Sequence, residues 1–98
     1  MDKDAVIATL RAHRAALERM GVIHAAVFGS VARGEAGPES DIDIAVDLTE
    51  DAAPGIWEYA GLKLQVGELF PGEVDVIDRG TAKPWLRAEI DRDAVYAF

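Results

Sequence analysis

Asp41-Ile42-Asp43-Ile44-Ala45-Val46-Asp47-Leu48 alternates strictly, with an acidic or small residue at each odd position and a branched apolar residue at each even one. Alternation with period two is the pattern of a half-buried strand. On a strand, positions i and i+2 share a face and lie about 6.5–7 Å apart, so Asp41 and Asp43 stand side by side. Two carboxylates that close repel each other, and folding gains nothing from placing them so. A shared cation would reward the arrangement. Magnesium suits it, because this ion takes oxygen ligands and is held by one or two carboxylates together with substrate phosphates. The same pattern also fits the solvated face of an edge strand, with Asp47 extending the acidic row.

Upstream of this strand lies Gly29-Ser30-Val31-Ala32-Arg33-Gly34, followed by a loop with Gly37 and Pro38 that ends at Ser40. Ile23 to Phe28, an apolar run bounded by Gly21 and Gly29, reads as a buried strand. That strand ends in Gly29-Ser30 and turns into a short helix, exposing backbone N–H groups suited to phosphate. Gly29 permits close backbone approach, and Ser30 adds a hydroxyl donor. Arg33, one helical turn on, is placed to reach a phosphate tail or a partner. Ser40, just before Asp41, is placed to cap or orient the loop. Taken singly, each of these is also ordinary turn or surface chemistry. At the start of the chain, Val6, Leu10, His13, Leu17 and Met20 recur at helical spacing. They predict one helix, with Asp2 or Asp4 at its start, Gly21 at its end and His13 on its inner stripe. His24, on the strand, reads as structural too.

Downstream, Pro54 is expected to open a second long helix reaching about Leu69, with Ile56, Tyr59, Leu62, Val66 and Leu69 inward. Pro71-Gly72 marks a turn. Val74 to Ile77 reads as a third strand, Thr81 to about Asp91 as a last helix with Pro84 in its first turn, and Ala94 to Phe98 as a closing strand. The order predicts an α/β (α+β) sandwich, a small mixed sheet of about four strands covered by helices, in a single domain over residues 1–98. Asp75 interrupts the otherwise apolar Val74-Asp75-Val76-Ile77. Adjacent strands lie about 4.8 Å apart, so a third carboxylate can converge on the first two if the strands are neighbours. Asp78, three positions on, should face the other side.

Composition limits the alternatives. The 98 residues include no cysteine, which removes disulfides, thiolate metal sites and cysteine nucleophiles together. No apolar run approaches the roughly 18–20 residues of a membrane span, and Met1-Asp2-Lys3-Asp4 does not begin a signal peptide, so a cytoplasmic protein is expected. The net charge of −8 is uneven. The first twenty residues hold 3 acids against 4 bases, and the rest hold 15 against 6. So acidic a surface repels phosphate backbones, and direct nucleic-acid binding is not expected. A bound nucleotide stays possible, because a metal ion inverts the local field.

Together, Gly29-Ser30, Arg33-Gly34, Ser40-Asp41-Ile42-Asp43 and the separate Asp75 resemble the signature of the DNA polymerase beta-like nucleotidyltransferase superfamily. The length, the Ala32-Arg33-Gly34-Glu35-Ala36 wording and the Val-Asp-Val strand look like its minimal nucleotidyltransferases, the MNT-type antitoxins encoded beside HEPN-domain toxins. The resemblance covers nearly the whole chain and implies a role for each motif residue. Asp41, Asp43 and Asp75 would be catalytic and hold Mg2+, two ions in the family. Gly29 and Ser30 would grip the triphosphate of ATP, supported by Arg33 and Ser40. The product would be an AMP-modified hydroxyl, a tyrosine of the HEPN toxin. A chain of this size has little left over to cradle an acceptor, so the acceptor is expected from a partner that could dock on Trp57, Trp85 or Phe98. Two other readings stay open here: an antitoxin that acts by occlusion alone, and a small-molecule nucleotidyltransferase without its acceptor domain.

Overall fold

The computed structural model describes residues 1–37, 40–49 and 56–98, with the side chains of residues 56 and 57 left aside. Helix α1 (Lys3–Ala12) starts where Asp2 caps it, its Oδ1 accepting the Ala5 N–H at 2.8 Å. The expected single N-terminal helix is in fact two. The chain breaks at His13 (φ −106°, ψ 14°) and resumes as α2 (Arg14–Arg19). Val6, Leu10 and Leu17 are buried, but His13 is exposed rather than inward, and its Nδ1 sits 2.9 Å from the Thr9 carbonyl. The apolar spacing continues across the break, and so hid it. Gly21 (φ 93°) takes the left-handed turn into β1 (Val22–Phe28).

The four-residue helix α3 (Gly29–Ala32) follows β1 directly. Next come β2 (Ile42–Leu48), α4 (Ile56–Glu68), β3 (Val74–Asp78), a single 3-10 turn (Arg79–Thr81), α5 (Pro84–Asp93) and β4 (Val95–Tyr96). Pro54 and Pro38 lie outside the described residues. The expected last helix therefore begins three residues later than predicted. Asp78 is the reason: its carboxylate accepts the Gly80 N–H at 3.0 Å and winds a separate 3-10 turn, after which Pro84 opens α5.

The sheet has the order β3-β2-β1-β4, mixed as expected. β1 is antiparallel to both β2 and β4, and β2 is parallel to β3. Strand β2 is thus interior, which removes the edge-strand reading of its acids. A β-bulge between Val22 and His24 turns Ile23 out to solvent. Alternation sorts the sheet into two faces. Ala25, Val27, Ile42, Ile44, Val46 and Val76 meet α1, α2 and α4 in the main core. Tyr59 fastens α4 to β3, its hydroxyl donating to the Val76 carbonyl and accepting the Asp78 N–H at 2.9 Å. On the opposite face, α5 packs Ile90 against Phe28 and Ala45. Burying such a side chain is worth about 1.5–3 kcal/mol, enough to fix how α5 lies across the sheet. That second face also carries the odd-numbered acids of β2. Among the described residues, no helix is long and apolar enough to cross a membrane.

Candidate active site

Register decides what the acids do. In the parallel β2–β3 ladder, Asp43 is the direct partner of Asp75, so two carboxylates project from the same face of neighbouring strands. Asp41 lies just before β2 and is exposed, as is Asp75, while Asp43 is half-buried. Among the described residues, no cation forms an ion pair with Asp41, Asp43 or Asp75. Burial, reinforced by Asp75, Asp41 and Glu89, raises the Asp43 carboxyl to about 6, against a smaller opposing pull from Arg33. Glu89, on α5, was not singled out in the sequence. A glutamate on an amphipathic helix is ordinary, and only the packing of Ile90 brings it to this face.

Asp47 completes the row on the same face but belongs to different chemistry. Arg79 donates to both of its oxygens, at 2.8 and 3.4 Å, and to Asp91 at 3.1 Å. The two carboxylates hold the Arg79 proton more firmly than usual. Asp78 faces the other side as expected, occupied with its 3-10 turn.

The Gly29–Ser30 turn meets the acids at Gly29. Strand pairing puts Phe28 opposite Asp43, so the next residue lies over that carboxylate. Gly29 has φ +72°, and a Cβ there would overlap Asp43 Oδ2. Both the dihedral and the space demand glycine. The close approach that Gly29 permits is therefore to the acid as well as to any ligand. Ser30 follows at the start of α3, its carbonyl accepting the Glu35 N–H at 2.9 Å. Arg33 is not stretched toward the acids. It donates to Glu35 at 3.0 Å and to Asp93 at 2.6 Å. Ser40 closes the loop on itself, with its Oγ accepting the Gly37 N–H at 2.9 Å. His24 sits beside the C-terminus, 3.3 Å from the Phe98 carbonyl and edge-on to Tyr96, away from the acids.

The donor set fits magnesium in kind: oxygen ligands only, and an uncompensated carboxylate pair in register. Among the described residues, no three acidic or histidine side chains converge into a ready-made cage. Phosphate oxygens of a substrate would have to complete the shell, which is how this ion is usually held. A cleft of about 580 Å3 beside α3, lined by Lys3, Asp4, Val31 and Arg33 among others, includes none of the three acids. Asp41 and Asp75 are instead exposed on the sheet face that α5 partly covers, with Asp43 half-buried between them and the helix. Trp85 is 67% exposed on α5, one helical turn before Glu89 and so on the same helix face. Phe98 packs against the main core, beneath the Arg14 guanidinium. The side chain of Trp57 falls outside the described residues.

Residues 10–96 match the model of the nucleotidyltransferase domain family. The chain is 36% identical over 88 residues to the protein adenylyltransferase MntA of Thermococcus cleftensis, covering 89% of this chain and 87% of that protein. A solved structure of a candidate minimal nucleotidyltransferase is 35% identical, with a TM-score of 0.78 over 97% of this chain and 95% of the other. The fold is also that of the MNT antitoxin seen in complex with a tri-AMPylated HEPN toxin from Shewanella oneidensis, at 16% identity and a TM-score of 0.62, over 90% of this chain and 71% of that one.

Proposed function

This chain belongs to the nucleotidyltransferase domain family, and on that premise we propose that it is a protein adenylyltransferase that silences a partner toxin of the HEPN kind by transferring AMP from ATP to a tyrosine hydroxyl. The observation that carries the reading is the register of Asp43 with Asp75, two uncompensated carboxylates beside a glycine turn. The adenylyltransferase relative supports the reaction, and the AMP-bearing toxin in the structural neighbour supports the acceptor.

In the proposed reaction, the backbone at Gly29 and the Ser30 hydroxyl hold the triphosphate, and Ser40 and Arg33 keep the loop in shape. The acceptor oxygen attacks the α-phosphorus as the bond to pyrophosphate breaks, and Asp75 takes the hydroxyl proton. Asp41, Asp43 and Asp75 would hold Mg2+, which when bound supplies the positive charge that phosphate oxygens need beside three acids. The protein needs no nucleophile of its own. Trp85, exposed on the helix that also presents Glu89, is the anchor for the partner, since tryptophan is enriched at binding hot spots.

Incubation with the cognate toxin, ATP and magnesium should add one or more units of about 329 Da to the toxin, the mass that transfer of AMP with loss of pyrophosphate leaves behind. Asp75→Ala should abolish the shift while the complex still forms. Unmodified toxin that regains activity on dissociation would establish occlusion instead.

A further inference from the structure

We infer that Asp93 is a positioning residue for nucleotide transfer, which holds the Gly29–Ser30 turn against Asp43 through its ion pair with Arg33. Asp93 is the last residue of α5, where the helix dipole disfavours an acid, so its place there calls for a partner. Its side chain is only 6% exposed and binds two guanidinium groups. Arg92, its neighbour in sequence, approaches at 3.0 and 3.1 Å. Arg33 comes from the other side of the site, at 2.6 Å. Hydrogen bonds from Arg92 and then Arg33 hold the Asp93 carboxyl down at about 2, so it is charged throughout the working range.

Arg92 alone would satisfy the charge of Asp93. The bond to Arg33 adds something local pairing cannot, because it joins α5 to the far end of α3. Arg33 caps α3, its N–H donating to the Gly29 carbonyl at 3.1 Å, and the Glu35 N–H donates to the Ser30 carbonyl. A fixed guanidinium therefore fixes the whole turn. At the other end of that turn, Gly29 lies so close over Asp43 that no side chain fits. Asp93, Arg33, Gly29 and Asp43 form one chain of contacts from helix to strand. Helix α5 is itself held by Ile90 on Phe28 and Ala45, so the reference point is rigid.

This role rests on the nucleotide-transfer reading of the site, and the test keeps the two apart. Binding of a non-hydrolysable ATP analogue with magnesium is measured for the wild type, Asp93→Asn and Asp93→Glu, together with the backbone amide resonances of Gly29 and Ser30. Asp93→Asn should weaken binding about tenfold, the effect of losing one charge-assisted hydrogen bond, and should shift both resonances. Asp93→Glu, which keeps the charge, should recover most of the affinity. In transfer assays, KM for ATP should rise more than kcat falls. Unchanged affinity in Asp93→Asn, or no recovery in Asp93→Glu, overturns the inference. A wild type that binds no analogue overturns the nucleotide reading, and unmoved Gly29 and Ser30 resonances in Asp93→Asn then overturn the positioning role as well. Where Asp93→Asn does not fold, Arg33→Lys carries the same comparison, with wild-type affinity as the contradicting result.

Discussion

Asp43 and Asp47 share a strand and a face, four residues apart, yet their surroundings are opposite. Asp47 meets a guanidinium at 2.8 Å, with Asp91 sharing the same arginine. Asp43 meets Asp75 in register, with Asp41 and Glu89 near enough to raise its pKa. One end of β2 is electrostatically closed and the other is left open. An acid with a built-in counter-charge contributes to the fold. A group of acids without one costs stability, a cost that the proposed metal and nucleotide would offset.

The largest effect separating the two ends concerns the reaction. Asp41→Asn with Asp43→Asn should lower AMP transfer about a thousandfold or more, since stabilising charge at a transferring phosphoryl group is worth several kcal/mol. The protein should stay folded. A double variant that retains full transfer, measured with labelled ATP, would move the chemistry elsewhere.

Stability should respond with opposite signs. Asp43→Asn should stabilise the metal-free protein at pH 7.5 by about 1–2 kcal/mol, allowing for screening at a half-buried site. Asp47→Asn should destabilise it by about 1–2 kcal/mol, because Arg79 loses its principal partner. The pH dependence follows from the direction of the shift. Folding raises the Asp43 carboxyl from 3.8 to about 6, so its favourable contribution is complete below pH 3.8 and is lost as the pH rises through about 6. The gain from Asp43→Asn should accordingly shrink below pH 6 and vanish near pH 4. Denaturant melts at three pH values suffice, and a gain that grows on acidification would contradict the assignment.

Smaller changes are expected in the turn over Asp43. Ser30→Ala should raise KM for ATP about threefold to tenfold, the range for a neutral donor. Gly29→Val should do more, through its positive φ and the contact with Asp43. Equal and negligible effects of the two would remove the phosphate role from the turn.

Much of this contrast was legible in the sequence, and the remainder depended on long-range pairing. Strict alternation from Asp41 to Leu48 put the acids of β2 on one face, and the motif picked out Gly29, Ser30 and Asp75. Alternation also separated Asp78 from Asp75. What it could not show is which acids have partners. Asp47 reads in sequence as one more member of the row, and only the 3-10 turn after β3 brings Arg79 beneath it. Arg33 reads as free, yet its partner Asp93 is sixty residues away. Glu89 and Asp93 are four apart on one helix face, a spacing that signals a common neighbour but does not identify it. His13 kept the apolar period of the first helix while the backbone broke beneath it.

Thermal unfolding with and without magnesium and a non-hydrolysable ATP analogue tests most directly whether the open end of β2 is the working site. The wild type and Asp47→Asn should both rise by several degrees on addition of the pair, since ligand binding to the native state alone stabilises it. Asp43→Asn should start higher and rise little. An equal rise in Asp43→Asn and the wild type would contradict the assignment of the unpaired acids to the metal and nucleotide.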